Sequence, residues 1–446
     1  MTVDLALTDA RVYTSSGIVE AGLAIQDGRI VKVAKDTNLP RASEEIDLEG
    51  CLILPGVIDV HVHLRDQELS YKEDFFTGTA AAANGGVTLV VDMPNNKPVT
   101  MSQKSLEERM RMAKEKSVVN VAFYSAFPDG AEQMRRIVRE GGALAFKFFM
   151  SQQVGGVNPQ DKEKLTEAFN EAAKIRVPVA IHAEDIKLMM DRMNRPGVGE
   201  GLDDYMRVHS REVEVQAARQ AIRISQKTGA RIHFCHVTSA ECVQIINNAK
   251  RIGVLATYEF TPYHLLISAQ SLKRLGAIAL SNPPPRPQQD IDQLWSSLRD
   301  GAVDVLASDH APHTIEEKSE ESIWRVKTGV PGLETMLPLM LTAVNEGRLH
   351  ISTLVKVMST NPSRVFGIKD RGELREGSAA DLVVVDLKGE YRIDSSKFLS
   401  KAKYSPFEGW KVKGKPVKTF VGGHLVMDDG EIVAKPGSGG IIRWSG

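Results

Sequence analysis

Eight short apolar runs, each followed by a helix-patterned stretch or a turn-rich segment, dominate this 446-residue chain and leave few folds open to it. The runs cover 57–63, 87–92, 119–124, 143–149, 177–182, 232–237, 254–260 and 303–307. Most are continuously apolar rather than alternating, the pattern of strands covered on both faces. Between them, 77–84, 102–116, 133–140, 162–174, 212–228, 240–250 and 291–299 show helical spacing with polar outer faces. Repeated strand–helix units imply parallel pairing, and eight of them predict a (β/α)8 TIM barrel. An open doubly wound sheet is the rival. It usually carries a glycine-rich phosphate loop after its first strand, and none follows His63.

The two ends of the chain have a different texture. Residues 1–54 contain short strand runs at 10–13, 23–26, 29–33 and 51–54, with Asp27-Gly28 as a hairpin signal. Residues 371–446 repeat this at 381–386, 417–421 and 424–427, with Asp429-Gly430 as another turn. Neither end has enough strands to close a sheet, so both are predicted to build one small composite β-sandwich. It flanks a barrel spanning 55–370, with 351–368 as a helical bridge and 435–440 as a tail.

Lys and Arg number 56 against 57 Asp and Glu, without a polybasic block, which argues against nucleic-acid or membrane-surface partners. Cys51, Cys235 and Cys242 lack CxxC spacing, as suits a reducing compartment. The first residues lack a signal-peptide pattern and no apolar run reaches membrane-span length, so the expected location is the cytoplasm.

Catalytic groups of a barrel gather at the C-terminal ends of its strands. The first run ends in His61-x-His63, whose imidazoles share a face because strand residues i and i+2 point the same way. Imidazole is a common ligand of divalent transition metals. Further polar residues at strand ends are Lys147, His182, His236 and Asp309. Six such placements converge on one mouth, which predicts a metal centre. Lys147 stands alone among Phe, Leu and Ala, where by itself it reads as a lysine snorkelling at the strand end, and otherwise as one desolvated inside the barrel. Near two metal ions a desolvated neutral amine reacts with CO2 to give a carbamate, an anionic bridging ligand. With Asp309 and a bridging hydroxide, two divalent ions then leave the cluster singly positive, which suits an anionic substrate. Asp309 is expected to ligate one ion and to accept a proton from the water between them. His313 lies just beyond the strand, within reach of substrate. His209, His233, His264, His350 and His424 are read as structural, with His233 facing away from His236.

These residues, in this order, resemble the binuclear-metal amidohydrolase superfamily and, within it, the class I dihydroorotases. The resemblance is carried by VHVHLR (60–65), KED (72–74), DMPN (92–95), IHAED (181–185), NPPPR (282–286), SDHAPHT (308–314) with Glu317-Lys318, GLET (332–335) and SPFEGW (405–410). Asp66-Gln67-Glu68, Asn96 and Tyr263 depart from the family pattern, and the lysine in FKFF is closer to the hydantoinase and allantoinase branches. The resemblance implies reversible, zinc-dependent ring opening of dihydroorotate to carbamoyl aspartate in pyrimidine biosynthesis. It implies two zinc ions, one on His61 and His63 and the other on His182 and His236. Carboxylated Lys147 would bridge them, and Asp309 would be both ligand and general acid/base. It also implies that Arg65, Asn95, Asn282 and His313 hold the substrate. A homodimer, and association with aspartate transcarbamoylase, are its partner expectations. The alternatives are an allantoinase or hydantoinase activity and, more remotely, a non-catalytic scaffold.

Overall fold

In the computed structural model, which describes residues 2–446, the eight apolar runs form eight parallel strands joined in sequence order. They are Val57–Val62, Val87–Asp92, Asn120–Ala126, Ala145–Phe149, Val179–His182, Ile232–Phe234, Ala256–Phe260 and Val305–Leu306. The seven expected helices all form, from Phe75–Asn84 after the first strand to Gln288–Arg299 after the seventh. Their starts are set by side chains that satisfy the free amides of a first turn: Asp74, Ser102, Asp161 and Ser239 each accept from the residue three positions on. The sixth and eighth strands are shorter than their apolar runs. The chain turns out of each through a left-handed residue, His236 at φ 35° and Asp309 at φ 48°.

The last strand meets the first through one bridge, Val62 with His310, and a His63 N–H to His310 carbonyl bond of 2.8 Å. Below it, the fully buried Asp59 carboxylate accepts from Ser308 N–H at 3.1 Å and from His61 N–H at 3.2 Å. Across the seam a side chain thus supplies, through Ser308, the bond that a backbone ladder supplies elsewhere. Burial pushes the Asp59 carboxyl up to about 7, against the pull of its hydrogen bonds. On its other edge the first strand carries a β-bulge: pairing runs from Asp59 with Val90 to Val62 with Asp92, one residue more on the first strand.

Both chain ends contribute to two flanking sheets. One holds four N-terminal strands in the order Arg29–Ala34, Gly22–Gln26, Val3–Thr8, Ala42–Asp47. In the other, Leu52–Pro55 lies between Arg11–Thr14 and the C-terminal strand Leu382–Arg392. Leu7, Leu23, Ile25, Ile53, Leu382, Val384 and Phe420 form one buried cluster drawn from both sheets, as the composite sandwich requires. Leu52–Pro55 runs through Gly56 directly into the first barrel strand. A Cβ at Gly56 would lie 2.2 Å from Thr88 Oγ1, so only glycine fits this junction.

Two expectations change. Segment 351–368 is helical but contains a π turn, Lys356–Thr360. Residues 435–440 are not a free tail. Gly439 N–H bonds to Ser117, and residues 440–444 run along the third barrel strand, with Val121 N–H to Gly440 and Ile442 N–H to Val121, both 2.9 Å. Backbone pairing of this kind needs no apolar run, so composition does not announce it. Asp59→Ala should leave two buried amides unbonded and cost about 3 kcal/mol. Urea unfolding checks this; a loss below about 1 kcal/mol would show that the seam does not need the carboxylate.

Candidate metal centre

All ten residues singled out by sequence line one cavity of about 200 Å³ at the C-terminal mouth of the strands: His61, His63, Arg65, Asn95, Lys147, His182, His236, Asn282, Asp309 and His313. Phe149, Ser151, Gln152, Ala311, Lys327, Thr328 and Gly329 complete it. A larger surface groove of about 1200 Å³ follows the 192–219 segment and contains none of the ten.

The donors fall into two groups. Asp309 Oδ1 lies 3.2 Å from His61 Nε2 and 3.4 Å from His63 Nε2. His182 Nδ1 lies 3.1 Å from His236 Nε2. Two ligands on one tetrahedral zinc, each about 2.0–2.1 Å from the ion, are about 3.3 Å apart. Both groups therefore have the spacing of ligands sharing one ion, and nitrogen with carboxylate oxygen is a zinc-type donor set. His61, His236 and Asp309 also bring donor atoms within 4.8 Å of one another, so the two groups adjoin. Lys147 is fully buried beside them, its Nζ 2.9 Å from Cys235 Sγ and 5.0 Å from the centre of the Phe149 ring. These residues fit a binuclear centre.

Buried partners fix which ring nitrogen faces the cavity. Glu259 Oε1 accepts from His61 Nδ1 at 2.5 Å, Asn95 Oδ1 from His63 Nδ1 at 2.7 Å, and Glu184 Oε2 from His182 Nε2 at 2.7 Å. Each leaves the opposite nitrogen as a lone-pair donor, the usual device for orienting metal-binding histidines. Burial would raise Glu259 and Glu184, but the histidines around them outweigh it and hold both carboxyls low. Asp309 is likewise held below its ordinary range against burial, chiefly by His61 and His63.

His233 does not face away as expected. It is fully buried on the inner side, its Nε2 3.0 Å from Glu259 Oε2, while Glu259 Oε1 also accepts His236 N–H at 3.1 Å. Strand parity fails because the strand ends at Phe234 and His236 takes a left-handed φ. His209 is structural in a specific sense, bonding Glu184 Oε1 at 2.9 Å. His264 bonds the Pro283 carbonyl at 2.9 Å, and His350 and His424 are exposed. Sequence reasoning did not single out Glu259, although its signal is of the same kind as that of Lys147: one charge in an apolar strand.

The other end of the cavity is cationic. Arg65, 7 % exposed, forms no ion pair among the described residues, and its Nε has no hydrogen-bond partner. The neighbour of its fork is His313, with Nη2 3.2 Å from Nε2. Burial, then Arg65 and Lys72, push the His313 imidazole far below its ordinary range, so it is neutral. Arg65, Asp66 and Gln67 all have left-handed φ, near 50°. Arg109 holds this strained turn by donating to the Arg65 carbonyl at 2.6 Å while pairing with Asp92. Asp92 of the DMPN segment is thereby a support for Arg65.

The profile described as "Amidohydrolase family" matches residues 52–426. The chain is 35% identical to a dihydroorotase of Methanosarcina acetivorans, over 99% of this chain and 96% of that one. It is 37% identical to a dihydroorotase of Pyrococcus horikoshii, with the same coverage. Among solved structures, the L-hydantoinase (dihydropyrimidinase) from Arthrobacter aurescens superposes with a TM-score of 0.95 at 32% identity, covering 99% of this chain and 100% of that one. Glu259→Ala should weaken metal affinity by about 10–100-fold by freeing the His61 ring. Zinc competition against a chelator measures this; unchanged affinity would show that Glu259 does not orient the ring.

Proposed function

The chain belongs to the amidohydrolase family and is a hydrolase acting on cyclic amides, and from that premise we propose that it acts as a dihydroorotase. In this reading it opens (S)-dihydroorotate to N-carbamoyl-L-aspartate, and closes it again, in pyrimidine biosynthesis. Arg65 carries the reading. A buried guanidinium without an ion-pair partner is costly unless an anion completes it. Its planar fork matches a carboxylate with two parallel N–H bonds. Dihydroorotate brings a carboxylate on its ring; hydantoin and allantoin do not.

His61 and His63 would hold one metal ion, His182 and His236 a second, and Lys147, as its carbamate, would bridge them. Bound zinc would supply Lewis acidity, lowering the pKa of a water and polarising the amide carbonyl. Asp309 presents Oδ1 to both His61 and His63, which leaves Oδ2 to handle the proton. It takes a proton from the attacking water as the new C–O bond forms. It returns that proton to the ring nitrogen as the C–N bond breaks, and the reverse reaction uses the same path. Arg65 and neutral His313 hold the carboxylate end, with Asn282 against the ring amides. Asn95, whose Oδ1 is engaged by His63, couples the substrate end to the first metal group.

The similarity to the hydantoinase structure favours a second reading, hydantoin-type ring opening with the same metal centre. Steady-state kinetics separate the two. With about two zinc ions per chain, the protein should hydrolyse dihydroorotate in preference to hydantoin and allantoin, and Arg65→Met should lose about 100-fold in kcat/KM for dihydroorotate. A preference for hydantoin, or no turnover with zinc fully loaded, would overturn the proposal.

A further inference from the structure

Lys318 is a buried charge that this chemistry does not use. It ends the short helix Ile315–Lys318 and is 2 % exposed. An ammonium has three N–H donors and no acceptor. Here three backbone carbonyls receive them: Leu280 at 2.9 Å, Gly329 at 3.0 Å and Lys327 at 3.1 Å. Lys318 forms no ion pair among the described residues; the nearest aromatic ring, Tyr404, is centred 6.0 Å away. Burial pushes the ammonium down to about 7, and the carbonyl dipoles oppose that push by favouring the charged form. A methionine would fill this space without the cost of burying a charge.

The three carbonyls come from two segments that form one wall of the cavity. Leu280 stands two residues before Asn282, while Lys327 and Gly329 flank Thr328; all but Leu280 line the cavity. The segments also touch directly, through a 2.9 Å bond from Gly329 N–H to the Leu280 carbonyl. His313 joins the same wall, its Nε2 3.1 Å from the Thr328 carbonyl. The packing there is tight: Gly329 has φ +141°, and a Cβ on it would lie 2.4 Å from the Ala311 carbonyl oxygen.

We propose that Lys318 is a positioning residue for substrate. Its ammonium ties the 280–282 and 327–329 segments together and so fixes Asn282 and the Thr328–Gly329 backbone against the bound ring. The kinetic part of the test rests on the dihydroorotase reading; the hydrogen-exchange part does not. In Lys318→Met, zinc content should stay at the wild-type level, and KM for dihydroorotate should rise about tenfold with kcat changed less than about threefold. Amides in 278–284 and 325–331 should exchange about tenfold faster by mass spectrometry, with the metal-bearing strands unchanged. Lys318→Gln keeps two donors and should fall between; it carries the test if the methionine variant does not fold. In the wild type both segments should exchange as slowly as the barrel strands. Unchanged KM, unchanged exchange in a variant, or fast exchange of these segments in the wild type overturns the proposal. Absence of wild-type turnover on dihydroorotate would instead overturn the functional reading and leave hydrogen exchange to decide the role of Lys318.

Discussion

The sheet closes on itself through the carboxylate of Asp59. The first and last strands share one backbone bridge, and below it the bond across the seam runs from the Ser308 amide to one buried side chain, which also accepts the His61 amide of its own strand. His61, His63 and Asp309 flank that seam, so the interaction that completes the barrel also sets the first group of donors in register. A carboxylate accepts several amides at once, which a strand two residues long cannot do with its backbone alone. The cost is a desolvated charge, visible in the raised pKa of Asp59.

The same economy runs through the site. Glu259 binds His61, His233 and the His236 amide; Glu184 binds His182 and His209. Each oxygen of these buried carboxylates has at least one hydrogen-bond partner, as burial of charge demands. Arg65 is the contrast, a buried charge with an unfilled donor. The inner end of the cavity is thus built to hold cations and the outer end an anion. In the proposed function, a ring bearing both an amide and a carboxylate would span the two.

Much of this was legible in the sequence, for identifiable reasons. Strands covered on both faces read as continuous apolar runs, and chemistry-bearing residues stand out at their ends. Ala42–Asp47 did not read as a strand because ASEEID is polar and pairs only at an edge, with Val3–Thr8. His233 was misjudged because periodicity holds only while the strand lasts. Asp59 and Lys318 are beyond pattern reading altogether. Asp59 meets Ser308 across 249 residues, and the Lys318 ammonium meets Leu280 across 38. Only the fold brings such partners together.

Family membership and the spacing of the donor atoms both fit a binuclear site, and that claim has a direct test. Anomalous diffraction at the zinc edge, from crystals of the zinc-loaded protein, should show two peaks. One should lie among His61, His63 and Asp309 and the other between His182 and His236, with added electron density on Lys147 Nζ joining them. A single peak in fully loaded protein, or peaks away from these residues, would contradict the account.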